Sequence, residues 1–371
     1  MKSMLIKSDN IAALKALQEN YSGKIDLVYI DIPYNTQQKF TVSKTKKSSI
    51  SRSAKGEIAY SDDMDFRQFL DYIRSALVEI RPLISKKGSI YLHIDCKTGH
   101  YIKIIMDEVF GMDCFRNDIA RIKSNPKNFK RRAWGNQRDM ILFYAMSKKN
   151  IWNDIKMPLC DKDRQRFKKK DEKGYYTTVP CHAPGETKDG DTGKEWKGCM
   201  PPEGRHWRFS PSELDKLDEQ GLIEWSSTGN PRIKNYFDGH AGKKWQDVWE
   251  FKDPQNANYP TEKNLDMLRL IVSQSSSENS IVLDCFCGSG TTLLAAAQLG
   301  RTFIGIDNSE AAIRQSREKL DGMEYDFIES AAKLDADPEN NYSSMQKKWE
   351  FHFSGERKSG KHVFQNKNSL Q

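Results

Sequence analysis

Several short runs of this chain are apolar almost without interruption: "LVYID" from Leu27, "GSIYLHID" (Gly88 to Asp95), "DMILFYAM" (Asp139 to Met146), "SIVLD" and "RTFIGID". A strand with one wet face alternates polar and apolar residues, whereas a continuous run belongs to a strand covered on both faces. Helical spacing lies between them. "SDNIAALKAL" offers Ser8, Asp9 or Asn10 as a cap, "FRQFLDYIRSALVEIRPLI" is periodic from Phe66, and further helices are predicted near Leu265 to Ser275, from Thr291, and from Glu310 to Leu320. Strands alternating with helices predict an α/β chain with a doubly wound, mostly parallel sheet. A polar Ser/Lys stretch from Gln37 to about Ser61 is expected to be a long loop.

From about residue 150 to 258 the texture changes. Gly, Pro and charge become dense, and Trp196, Trp207, Trp225, Trp245 and Trp249 are expected to build a small second core. One helix there is well marked, with Ser210 as cap, Pro211 at the first position, Glu213 closing a capping box and Gly221 as the stop. The predicted division is 1–149, an inserted region 150–258, a resumed sheet 259–332 and a polar tail 333–371.

Charge is unevenly spread. The chain carries +8, but residues 121–170 hold sixteen Lys/Arg against four Asp/Glu, which leaves the rest net negative by four. Lys127, Lys130, Arg131 and Arg132, then Lys168, Lys169 and Lys170, interleave with Phe129, Trp134 and Phe167. This pattern suits phosphates, although such a run also occurs as a solvated face. Seven cysteines, no 18-residue apolar stretch and no leader-like start point to a cytoplasmic protein without a membrane span. Cys160, Cys181, His182 and Cys199 lack a Cys-x-x-Cys pair, so no metal is expected.

Two constellations carry chemistry. In "LVYIDIPYNT" a buried strand ends in Asp31, Ile32, Pro33 and Tyr34, and an acid in that place is not there for packing. In "VLDCFCGSGTTLLAAAQLGRTFIGID" a strand ending in Asp284 runs through Phe286 into Gly288-Ser289-Gly290 and then a helix. A second strand ends in Asp307, seventeen residues beyond Gly290. Such a turn brings a ligand to the backbone and to a helix N-terminus, and the second acid can accept ribose hydroxyls. Read on its own, a Gly-x-Gly turn is also compatible with a structural role.

Asp-x-Pro-Tyr, then a basic region, then Asp-x-Phe-x-Gly-x-Gly-Thr-Thr resembles the amino-methyltransferases of DNA in the order called the β class. The resemblance covers residues 5 to about 150 and 258 to 320. "YYTTVPCHAPGETKDG", "GRHWRFSPSELDKL" and "WQDVWEF" are similar to the site-specific bacterial members, and "YPTEK" is similar to that family's His-Pro-Thr-Gln-Lys segment. The resemblance implies a methyltransferase sheet with an inserted target-recognition region, S-adenosyl-L-methionine (SAM) as cofactor, and duplex DNA as partner. Asp284, Phe286, Gly288 and Gly290 would line SAM, Asp307 its ribose, Thr261 and Lys263 its carboxylate end, and Asp9 its adenine.

The same resemblance implies a reaction on a flipped base. Tyr34 would supply a stacking face, while Asp31 and the Ile32 carbonyl accept the two amine hydrogens and Pro33 stiffens the turn. A carboxylate is too weak a base to deprotonate an aromatic amine beforehand, so Asp31 orients the amine and receives its proton during or after transfer. Ile32 stands where the family has proline, and Glu262 and Asn264 replace Gln and Pro.

Four other readings remain open on the sequence. Cytosine amino-methyltransferases commonly carry Ser at the Asp31 position, so Asp favours adenine N-6. Pro180-Cys181 matches the nucleophile pair of carbon-five cytosine enzymes, but in the wrong order. A DNA-binding protein on a decayed fold would account for Ile32 and not for the intact glycine loop. RNA presents the same flipped base. A companion restriction endonuclease and a homodimer are both compatible with such a chain.

Overall fold

The apolar runs assemble into one large sheet. In the computed structural model, residues 2–32, 39–42, 57–61, 65–126, 130, 132–237, 242–254 and 262–329 are described. Among them the sheet has nine strands: β1 (Met4–Lys7), β2 (Ile25–Asp31), β3 (Ile84–Ile94), β4 (Phe115–Ile122), β5 (Arg138–Ala145), β6 (Val248–Glu250), β7 (Ile281–Asp284), β8 (Thr302–Asp307) and β9 (Asp326–Glu329). Their order is β6-β4-β5-β3-β2-β7-β8-β1-β9. The pairs from β3 through β2, β7 and β8 to β1 are parallel, and so is β6 with β4. Only β5 among these runs antiparallel to both neighbours. The 123–137 connection before it shows no helix among the described residues, and a strand that returns without a crossover helix pairs antiparallel.

The helices α1 (Asn10–Tyr21), α2 (Phe66–Ile80), α3 (Gly99–Phe110), α4 (Leu265–Ser275), α5 (Thr291–Gln298) and α6 (Glu310–Lys319) complete the layers. Alternate residues of β2 show why its run is unbroken. Val28 and Ile30 face Leu14, Phe69, Ile73 and Ile102 of the first three helices, while Leu27 and Tyr29 face Met267, Ile271 and Leu293 of α4 and α5. Both faces are covered, as in a doubly wound sheet. The α4 bounds are those predicted, and α5 and α6 start where predicted.

Two expectations are corrected. The stretch read as a loop contains a hairpin, Lys39–Val42 paired antiparallel with Glu57–Ser61, which polar composition concealed. Trp245 and Trp249 do not join the second core, because β6 returns the chain to the large sheet and both indoles pack there with Phe251. The second core that does form contains Cys181, Trp196, Trp207, Leu214, Ile223 and Ile233, with Trp225 stacked on Trp196 at 5.6 Å.

That core lies against an antiparallel sheet of Lys169–Asp171, Gly174–Pro180, Pro231–Tyr236 and Ile223–Trp225. The helix Pro211–Glu219 has the predicted capping box, with the Ser210 N–H donating to the Glu213 carboxylate at 2.9 Å, and Gly221 follows at φ +69°. The tail predicted over 333–371 lies outside the described residues.

Candidate active site

Three adjacent strands place a carboxylate at the same edge of the sheet. β2 ends at Asp31, β7 at Asp284 and β8 at Asp307, and because the three are parallel, their C-terminal ends share one side. Ligands of open α/β sheets bind outside such ends. The backbone also turns there. Gly288 has φ +51° and Gly290 φ +74°, and the latter is the N-cap of α5. A Cβ on Gly290 would lie 2.7 Å from Ser316 Oγ and 3.1 Å from Ser316 Cα, so this glycine is needed for the approach of α6 as well as for its dihedral.

The three acids have different surroundings. Asp284 is buried, and burial pushes its carboxyl up to about 7, although Thr292 and the Phe286 N–H, at 3.1 Å, favour the ionised form. Asp307 is also raised by burial, against the Ser309 and Gly288 N–H groups, each donating to it at 2.9 Å. Those bonds tie the glycine turn to β8 and leave further lone pairs on both oxygens. Asp31 pairs with Lys263, Nζ to Oδ2 at 2.5 Å. The lysine predicted at the cofactor thus sits on the predicted catalytic acid.

The departures from the family pattern have local partners. Ile32 is 1% exposed and packs in the core behind β2, so its side chain turns away from the edge. Asn264 caps α4, accepting from the Met267 N–H at 3.1 Å, and donates to the Lys252 carbonyl at 3.0 Å. Glu262 meets Lys319 at 2.7 Å, and the same ammonium donates to Ser289 Oγ at 3.0 Å and Thr291 Oγ1 at 2.7 Å. Lys319 therefore ties the "PTEK" segment to the glycine loop. Burial lowers its pKa while Glu262 opposes that shift.

Asp9 caps α1, accepting from the Ala12 N–H at 2.9 Å, and Asn10 donates to the Cys285 carbonyl in the glycine motif. Phe286 meets Tyr72 edge-on at 6.1 Å. Pro33, Tyr34, Thr261, Lys127 and Arg131 lie outside the described residues. Lys130 and Arg132 are exposed, as are Lys168, Lys169 and Lys170; of these Lys169 pairs with Glu224, and Lys170 lies 5.3 Å from the Tyr175 ring. Cys181 is fully buried and burial pushes its thiol up to about 11, the opposite of an activated nucleophile.

Sequence reasoning missed a polar network directly behind Asp31. Its register partner on β3 is His93, fully buried. The His93 Nδ1 is 2.9 Å from the Tyr29 hydroxyl and Nε2 is 3.4 Å from Asp139 Oδ2. Burial lowers the imidazole pKa, and the Asp139 side chain opposes that shift. Burial would raise Asp139, but His93 and Lys123, at 2.6 Å, hold it well below the usual carboxylate range. Arg121, also fully buried, reaches Asp139 at 3.4 Å, Asp253 at 2.6 Å and the Phe251 carbonyl at 2.7 Å. A histidine inside the apolar run "GSIYLHID" was the available signal.

A family model described as DNA methylase matches residues 25–318, and one described as methyltransferase domain matches 282–357. The type II methyltransferase M.EcaI of Enterobacter cloacae is 40% identical over 316 residues, covering 83% of this chain and 67% of that protein. The Mod subunit of the type III restriction-modification enzyme StyLTI of Salmonella typhimurium is 25% identical, covering 81% of this chain and 52% of that one. The type II methyltransferase M1.MboII of Moraxella bovis is 25% identical, covering 83% and 94%. Among solved structures, the M1.HpyAVI–SAM complex is 18% identical and covers 85% of this chain and 100% of its own, with a TM-score of 0.43. Among the described residues no helix is long and apolar enough to cross a membrane.

Proposed function

The chain belongs to the DNA methylase family, and on that premise we propose that it transfers a methyl group from SAM to the N-6 amine of adenine at a specific site in duplex DNA. The observation that carries this reading is the single edge at which Asp31, Asp284 and Asp307 meet the glycine turn and the N-terminus of α5. Asp31 rather than Ser favours adenine over the cytosine N-4 amine. The type II and type III names of the relatives favour a restriction-modification setting.

The donor set fits the cofactor. Asp284 suits an ammonium, Asp307 has lone pairs for ribose hydroxyls, and Lys263 is a cation within reach of a carboxylate. SAM supplies an electrophilic methyl group on a sulfonium. The residues of this chain do the rest. Asp31 and the Ile32 carbonyl accept the amine hydrogens and turn the nitrogen lone pair toward the methyl, Asp31 takes the released proton, and Tyr34 stacks on the base. Lys263 stands between Asp31 and the cofactor end of the site.

Because burial raises the Asp284 carboxyl to about 7, a bound cation draws its protonated fraction back to the ionised form. SAM affinity is then expected to rise with pH through about 7, with proton release on binding, and Asp284→Asn should flatten that dependence. Calorimetry in buffers of different ionisation enthalpy reads both effects. The transfer itself is tested by incubating the protein with tritiated SAM and unmethylated plasmid DNA, then identifying the modified nucleoside by mass spectrometry. N-6-methyladenine supports the reading, and N-4-methylcytosine moves it to the other base.

A further inference from the structure

The inserted region carries a second cluster of cations. Strand Arg205–Trp207 pairs with His182–Pro184, and strand Pro231–Tyr236 pairs with Gly174–Pro180, so the two meet at Pro180-Cys181-His182. The Cys181 side chain is buried in the small core and its backbone binds both sides, donating to the Pro231 carbonyl at 3.3 Å and accepting from the Arg208 N–H at 2.7 Å. Around this corner stand Arg205, Arg208 and Arg232. Each is fixed by only part of its guanidinium: Arg205 Nη1 to His182 Nδ1 at 3.2 Å, Arg208 Nε to the Pro180 carbonyl at 3.1 Å, and Arg232 to Thr178 Oγ1 and carbonyl at 2.8 and 2.9 Å.

Among the described residues no carboxylate lies within 4 Å of any of these three guanidiniums. The contrast with neighbouring lysines is direct, since Lys169, Lys194, Lys197, Lys234 and Lys243 each sit on an Asp or Glu. Glu224, which faces Arg232 across the sheet, is taken by Lys169 and Tyr176. The three charges are close enough to one imidazole that all of them, after burial, disfavour its protonated form. A fold that gathers three fixed guanidiniums without neutralising them holds their repulsion for an anionic or acceptor-rich partner.

We propose that Arg205, Arg208, Arg232 and His182 form a contact of the inserted region with duplex DNA, the remaining guanidinium N–H groups donating to paired acceptors on phosphate or on guanine edges. This rests on the reading of the chain as a DNA methyltransferase. It shifts part of the DNA grip from the lysine runs to the corner at Cys181. Anchored guanidiniums match the paired acceptors of phosphate and of guanine O6 and N7 in a way that flexible lysines do not.

The test uses the full-length protein and labelled fragments of unmethylated plasmid DNA, with anisotropy over a salt series, tritiated methyl transfer and calorimetry with SAM. Arg205→Gln and Arg208→Gln, at exposed positions, are each expected to weaken DNA binding about 5- to 100-fold. SAM affinity stays unchanged, and Lys194→Gln and Lys197→Gln leave DNA binding as it is. A loss with a flatter salt dependence identifies phosphate contacts, and a loss with an altered methylated motif identifies base edges; either supports the site. DNA binding, salt slope and motif all unchanged in the combined Arg205→Gln, Arg208→Gln, Arg232→Gln variant would overturn it. Wild-type protein that binds DNA through this cluster yet transfers no methyl group would overturn the functional reading alone.

Discussion

Ile32 shows how one side chain can depart from a motif without disturbing its chemistry. Its carbonyl belongs to the turn after β2, whereas its side chain belongs to the core behind that strand. Ile32→Pro should therefore keep turnover while costing about 1 kcal/mol or more of stability through lost packing, read from the urea midpoint. Asp284 makes the opposite case, a group whose chemistry strains the fold. Its folded pKa, about 7, lies above its unfolded value, so between about pH 4 and 7 the native state binds more protons than the unfolded one. Its contribution to stability is present at low pH and lost as pH rises through about 7. Relative to Asp284→Asn, the wild type should lose on the order of a few kcal/mol across that window; parallel pH–stability curves for the two would contradict the assignment.

At the scale of elements, strands and helices were largely legible because their signals are local. Continuous apolar runs marked β2, β7 and β8, and Ser210-Pro211-Glu213 marked a helix start down to its hydrogen bond. The rest depended on partners far apart in sequence. Nothing in "YPTEK" points to Lys319, which reaches Glu262, Ser289 and Thr291 from the last turn of α6. The reversal of β5, the return of β6 to the large sheet and the buried His93, Asp139 and Arg121 share that cause, each joining segments that no periodicity connects. The Lys319 link makes its own prediction. Lys319→Ala should raise the SAM dissociation constant several-fold by loosening the glycine loop, whereas Glu262→Gln alone, which keeps an acceptor for the Lys319 ammonium, should stay close to wild type. Calorimetry with both variants checks it.

At the scale of the whole sheet, charged groups tie together the strands behind the edge. Asp139, inside the sheet, holds His93 from β3, Arg121 and Lys123 from and beyond β4, and through Arg121 the segment after β6. Removing the carboxylate leaves a fully buried guanidinium with one charged partner fewer, so Asp139→Ala is expected to cost about 3 to 5 kcal/mol in urea unfolding. The same frame holds Asp31 at the tip of β2, one strand from Asp284, where the methyl acceptor must meet the donor. The most direct measurement of that claim is the methyl-transfer rate and SAM affinity of Asp31→Ala beside the wild type. The account predicts a rate lowered by about 10²- to 10⁴-fold with SAM binding essentially intact, because the carboxylate acts on the base. Turnover retained in Asp31→Ala would contradict it.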